Sequence, residues 1–109
     1  MNPTSPWTVS DLADNAADAA ALLKALSNEH RLLVLCHLAA EGELPVGALV
    51  ERLGLSQSAL SQHLAKLRGE GLVVFRREAQ TLHYRVADPR AERLLALLHE
   101  MFCPGLGDE

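Results

Sequence analysis

Between Pro45 and Val86 the apolar residues change their spacing once, and that change decides the architecture. Up to Leu67 they recur at helical intervals: Leu49, Val50 and Leu53, then Leu60, Leu64 and Leu67. Steps of three and four put such side chains on one face of a helix. From Leu72 they alternate, with Leu72, Val74 and Arg76 opposing Val73, Phe75 and Arg77, and with Leu82, Tyr84 and Val86 on one side of Thr81 to Val86. That is the period of half-buried strands, and Glu78-Ala79-Gln80 between them makes the pair a hairpin. The helical part divides in two. Pro45 starts a short helix, and Gly54 stands where a left-handed residue stops one. Ser56 caps the next helix, which runs to about Arg68 before Gly69 and Gly71 close it.

The flanking segments are helical. Ser10 and Asp11 open a first helix whose stripe is Leu12, Ala16, Ala19, Leu23 and Leu26. Ser27 caps a second, on which Leu32, Leu35, Cys36 and Ala39 share a face that Leu33 and Val34 widen; Glu41-Gly42-Glu43 ends it. Asp88-Pro89, a cap followed by a first-turn proline, starts the last helix. It carries Leu94, Leu95, Leu98, Met101 and Phe102 and stops at Cys103-Pro104-Gly105. The expected fold is mainly α with a β-hairpin wing, five helices in the order α-α-α-α-β-β-α, the layout of a winged helix-turn-helix. One unit, residues 9–103, is expected between an N-terminal arm (1–8) and a C-terminal tail (104–109). Two domains in 109 residues would each be near the lower limit for a self-sufficient core.

Several functional classes are excluded. The chain lacks a glycine-rich phosphate loop, a nucleophile elbow and an HExxH motif, so no enzyme is expected. Four aromatic residues are too few for a stacking platform. Met1 to Ser10 has neither the basic start nor the apolar run of a signal peptide, and no stretch reaches eighteen apolar residues. A cytoplasmic protein without membrane association is the expectation.

Charge is uneven. The formal net charge is −4, yet Ser56 to Val86 holds Lys66, Arg68, Arg76, Arg77 and Arg85 against only Glu70 and Glu78. A polyanion would be met locally, by this segment. A helix entering the major groove needs one apolar face for docking and one face of small polar and amide side chains. Gln57, Ser58, Ser61 and Gln62 supply the second face. Glutamine pairs with the adenine edge in a bidentate way, and serine meets a base or a phosphate. His63 and Lys66 sit where backbone contacts fall. Arg76, Arg77, Gln80 and Thr81 bring charge and donors to the hairpin, against phosphates or the minor groove. The same polar face also suits an ordinary solvated helix; the short preceding helix, the Gly54 turn and the basic hairpin together favour DNA.

The runs LGLSQSALSQHLAKLRGEGLVVFRREAQTLHYRV, residues 53–86, and LLKALSNEHRLLVLCHL, residues 22–38, resemble the ArsR family of bacterial winged-helix regulators. The likeness extends over roughly residues 15–103, with SNEHR, LSQSALSQHL and REAQTLHYR in the family's order and spacing. It implies a homodimer bound to a pseudo-palindromic operator in double-stranded DNA and released by an inducer. It also implies a dimer interface built from the first and last helices. Their apolar stripes exceed what a two-stranded wing and three small helices cover, although completing a monomer's core is an alternative use of them. A two-fold dimer would set its recognition helices about one DNA turn, roughly 34 Å, apart.

Two cysteines, Cys36 and Cys103, are the candidate sensors. In a reducing compartment such a pair reads as sensory, metal-binding or plain core rather than as a permanent staple. Both metal sites that the resemblance brings to mind are incomplete. Val46 to Gly54 holds no cysteine or histidine, and near the last helix Arg90 follows Asp88 where a histidine is expected, with only His99 and Glu100 later. His30, His37, His63 and His83 show no metal-like spacing. The pattern LxVLC with a terminal FC is similar to a subgroup of the family that contains sulfide- and persulfide-responsive repressors and a virulence activator. That resemblance implies a thiol sensor, Cys36 with Cys103, linked within one subunit by oxidation or sulfuration so that DNA binding weakens. It implies no cofactor, and the activator type implies competition with another DNA-bound protein.

Thiolate is the reactive form of cysteine. His99, four residues before Cys103 on the same face, favours it, whereas the negative end of a helix disfavours it. Cys36 beside Leu32 and Leu35 reads by itself as core, and as half of a pair it reads as a switch. A direct disulfide needs Cα atoms within about 7 Å; a wider gap favours a bridge of several sulfurs, and persulfides over peroxide. Cys36, His99 and Cys103 also leave an incomplete thiolate–imidazole set open, which would make the regulator metal-responsive.

Overall fold

The computed structural model describes residues 7–103, so the expected tail and all of the expected arm except Trp7 and Thr8 lie outside the described residues. Nine elements follow in order: α1 (Val9–Ala13), α2 (Ala16–Leu26), α3 (Glu29–Glu41), β1 (Leu44–Pro45), α4 (Val46–Leu53), α5 (Gln57–Gly69), β2 (Val73–Glu78), β3 (Thr81–Val86) and α6 (Pro89–Phe102). The winged helix-turn-helix expectation holds, with local differences.

The first helix is broken in two, which makes six helices rather than five. Thr8, not Ser10, starts α1 with a capping box: its N–H donates to Asp11 Oδ2 at 2.8 Å, and Asp11 N–H donates to Thr8 Oγ1 at 3.4 Å. The break falls at Asp14-Asn15, two side chains that compete with the helix for backbone groups. Asn28 rather than Ser27 caps α3, its Oδ1 accepting Arg31 N–H at 3.0 Å. The Ser27 hydroxyl is already committed backwards, donating to the Lys24 carbonyl at 2.8 Å. Arg31 joins it there, Nε donating to the Ala25 carbonyl at 2.8 Å, so the open carbonyls ending α2 are met by side chains.

Pro45 caps α4 but also belongs to β1, a short edge strand, so the hairpin grows into a three-stranded antiparallel sheet ordered β1-β3-β2. Leu44 faces Tyr84, while β2 and β3 pair Val73 with Val86, Phe75 with Tyr84, and Arg77 with Leu82. A proline is tolerated there because an edge strand leaves one side of its backbone unpaired. Gly54 takes the left-handed conformation expected of it, φ 66°, between α4 and α5.

The core sits around α3, which packs on α2, α4, α5, α6 and β3. Val34, Leu35 and Leu38 of α3 meet Leu49 of α4, Leu60, Leu64 and Leu67 of α5, Val73 and Tyr84 of the wing, and Leu95 of α6. The buried face of α3 therefore differs from the expected one. Leu35 belongs to it, whereas Cys36 and Ala39 are exposed. Large apolar side chains remain outside: Val9 is 77% exposed, Leu12 52%, Leu23 57%, Leu97 48%, Met101 57% and Phe102 76%.

Candidate nucleic-acid interface and thiol pair

Helix α5 buries Leu60, Leu64 and Leu67, and its opposite side presents Gln57, Ser58, Ser61, Gln62 and Lys66 to solvent. Ser56 starts it, Oγ accepting Ala59 N–H at 3.1 Å. Between α5, the start of α4 and the wing runs a polar groove of about 460 Å³ that brings together Gln57, Ser61, Gln80 and Thr81 from distant parts of the chain. Arg68 lines it too and was not among the expected contacts. Its seven-residue spacing from Ser61 is the signal that would have found it, since that step returns to the same face. The Arg68 guanidinium lies 5.0 Å from the centre of the Phe75 ring, which holds the charge over the groove wall.

The two wing arginines separate by strand parity. Arg77 shares its face with Val73 and Phe75 and pairs with Leu82, which lines the groove. Arg76 points the other way. Its Nε and Nη2 donate to Glu43 at 3.0 and 2.9 Å, and its Nη1 donates to Glu78 at 3.0 Å. The hydrogen bonds from Arg76 hold the Glu43 carboxyl below its usual range, and both carboxylates hold the Arg76 guanidinium above its own. No carboxylate of the described residues lies within ion-pair distance of Arg77. His63 is half-buried and turned to α3, its ring centre 5.7 Å from that of His30. Burial pushes the His63 imidazole below its ordinary 6.5, and the neighbouring His30 and Arg31 charges add to the shift.

Cys36 opens into a second groove, of about 290 Å³, between α3 and α6, walled by Ala39, Ala40, Leu95 and Ala96 and reached by His99. Cys103 caps α6, half-buried, its N–H donating to the His99 carbonyl at 2.8 Å. Partial cover by its neighbours pushes the Cys36 thiol up, and the nearby Cys103 sulfur pushes it in the same direction. The fold thus brings within electrostatic range two cysteines that are far apart in sequence. The Asp88 carboxylate is already occupied: it accepts Arg90 N–H at 2.8 Å and Arg90 Nη2 at 2.7 Å. Among the described residues no three His, Cys, Asp or Glu side chains converge to hold a metal ion.

A short helix, a left-handed glycine turn, a polar helix face and a hairpin wing that completes the groove beside it define a winged helix-turn-helix DNA-binding transcriptional regulator. The family model for the bacterial regulatory proteins of the arsR family matches residues 28–74. The transcriptional activator HlyU of Vibrio cholerae is 48% identical over 99 residues, 91% of each chain. Its reduced structure superposes with a TM-score of 0.81 at 49% identity, covering 87% of this chain and 99% of that one. The transcriptional repressor BigR of Xylella fastidiosa superposes with a TM-score of 0.84 at 39% identity, covering 89% and 98%. A cadmium resistance regulatory protein CadC homologue of Staphylococcus aureus is 32% identical, over 89% and 83%. The chain belongs to the ArsR family. Like these relatives it is a transcriptional regulator and not an enzyme.

Proposed function

We propose that the protein is a cytoplasmic, homodimeric, operator-binding regulator whose DNA affinity is lowered when Cys36 and Cys103 are joined by oxidation or by persulfide-dependent crosslinking. The observation that carries the switch is the α3–α6 groove, where Cys36 is open to solvent and close enough to Cys103 for one sulfur to shift the other. Helix α3 underlies the recognition helix and α6 leads to Cys103. Joining the two therefore draws the end of α6 against the helix that supports α5. In this reading Gln57, Ser58, Ser61 and Gln62 face base edges, while Lys66, Arg68, Arg77, Gln80 and Thr81 hold phosphates. The dimer forms through the exposed apolar faces of α1, α2 and α6. In a two-fold dimer a small tilt of α6 changes the spacing of two recognition helices that must match one DNA turn.

The test is intact mass and DNA affinity on reduced protein exposed separately to peroxide and to an organic persulfide. Loss of two hydrogens, or a bridge carrying extra sulfur, between Cys36 and Cys103 with weakened binding is expected. Cys36→Ser and Cys103→Ser should bind like the reduced protein under both treatments. No intramolecular link under either treatment, or a link that leaves affinity unchanged, overturns the switch.

A further inference from the structure

We propose that the α3–α6 groove admits small uncharged electrophiles to the Cys36 sulfur, and that His99 is the base that takes the Cys36 proton. This assignment, which rests on the dithiol reading, supplies the source of the thiolate and the selection of what reaches it. At about 290 Å³ the groove is at the lower bound of ligand clefts. Its walls from Ala39, Ala40, Leu95 and Ala96 are apolar, and its titratable groups are Cys36 itself, His99 and Glu92.

The cover over Cys36 and the neighbouring Cys103 both disfavour its thiolate, so at neutral pH the sulfur carries its proton and needs an acceptor. A carboxylate such as Glu92 is a weaker base than an imidazole. His99 lies in the last turn of α6 and lines the same groove as Cys36. Glu92 and the helix end together set a negative field at the groove, which repels anionic reagents. A peroxide therefore enters as the neutral molecule, and an organic persulfide reacts in its protonated, neutral form, the form whose sulfur is electrophilic.

With a peroxide as electrophile the steps balance. The His99 imidazole takes the Cys36 proton, and the thiolate pair forms an S–O bond as the O–O bond breaks. The departing hydroxide takes the imidazolium proton and leaves as water, with a sulfenic acid on Cys36. Cys103 sulfur then attacks Cys36 sulfur; the S–S bond forms, the S–O bond breaks, and a second water carries away the Cys103 proton. The two thiols lose two electrons and the peroxide gains them.

The experiment measures alkylation of Cys36 by iodoacetamide against pH, followed by mass, in the full-length reduced Cys103→Ser protein. The expected profile has an inflection that depends on His99, separate from the thiol's own. His99→Gln should remove the first inflection and slow the reaction at pH 7 by about tenfold or more. Iodoacetate, each rate normalised to free cysteine, should react about threefold or more slowly than iodoacetamide, and Glu92→Gln should narrow that gap. An unchanged profile with a rate within about twofold in His99→Gln, or equal normalised rates for the two reagents, overturns the assignment. A failure of the dithiol reading looks different: peroxide then gives no Cys36–Cys103 link in the unaltered chain, whatever the alkylation profile.

Discussion

Arg76 and Arg77 are adjacent, share a charge and occupy different worlds. A strand sends successive side chains to opposite faces, so Arg77 shares the face of Leu82, which lines the groove beside α5, while Arg76 faces Glu43 and Glu78. A guanidinium already bound by two carboxylates has little charge left for a phosphate. We therefore predict that Arg77→Ala weakens binding to all DNA sequences about equally and reduces the slope of log affinity against log salt by about 0.9. Arg76→Ala should leave that slope nearly unchanged; equal slope changes in anisotropy titrations would refute the parity argument. Gln62→Ala should instead relax base preference, at a cost of about 1–3 kcal/mol for the preferred base only.

At the scale of elements, the wing turn carries backbone strain and the recognition helix carries a half-buried imidazole, and each has a measurable consequence. Ala79, in the two-residue turn between β2 and β3, has φ 56°, a left-handed conformation that an L side chain adopts at a cost and glycine adopts freely. Ala79→Gly should stabilise the protein by about 0.5–1 kcal/mol, relief of strain exceeding the added chain entropy; a lower denaturation midpoint would contradict this. His63 links α5 to α3, facing His30 and Arg31. Its folded value lies below the unfolded 6.5, so the unfolded chain binds the proton more readily. The stability that His63 contributes is present above pH 6.5 and is lost as pH falls through the folded value. Urea midpoints at pH 7.5 and 5.5 should fall with acid in the parent, and less so in His63→Gln; identical pH dependence in the two would refute the link.

For the whole molecule, shape and surface point the same way. The radius of gyration is 16.0 Å, against about 13 Å for a compact domain of this length. The extra extent goes with helices whose apolar faces remain uncovered: Val9, Leu12 and Leu23 at one end of the chain, Leu97, Met101 and Phe102 at the other. In the proposed homodimer a second copy would cover both sets at once by symmetry. Phe102→Asp combined with Leu97→Glu should yield a monomer in light scattering and reduce affinity for a full palindromic operator to that for a half-site. A variant that stays dimeric would move the interface elsewhere.

The helix, turn, helix and wing were legible because each is set by neighbours in sequence. Apolar spacing chooses helix or strand, Gly54 reaches a conformation other residues resist, and Ser56 and Asp88 cap with their own oxygens. Local competition also explains the misses at the helix starts, where Ser27 and Asn28 are both able to cap and only the path of the chain separates their roles. The rest was decided by packing. Helix α3 touches elements on several sides, so its apolar residues run nearly all round and their period does not say which way Cys36 points. His63 faces His30 across the α3–α5 contact, and Arg76 is paired with Glu43, thirty-three residues away. Periodicity within an element carries information about that element's own faces. Which charge is left open to DNA, and which thiol meets which, depends on side chains that become neighbours only when the elements dock.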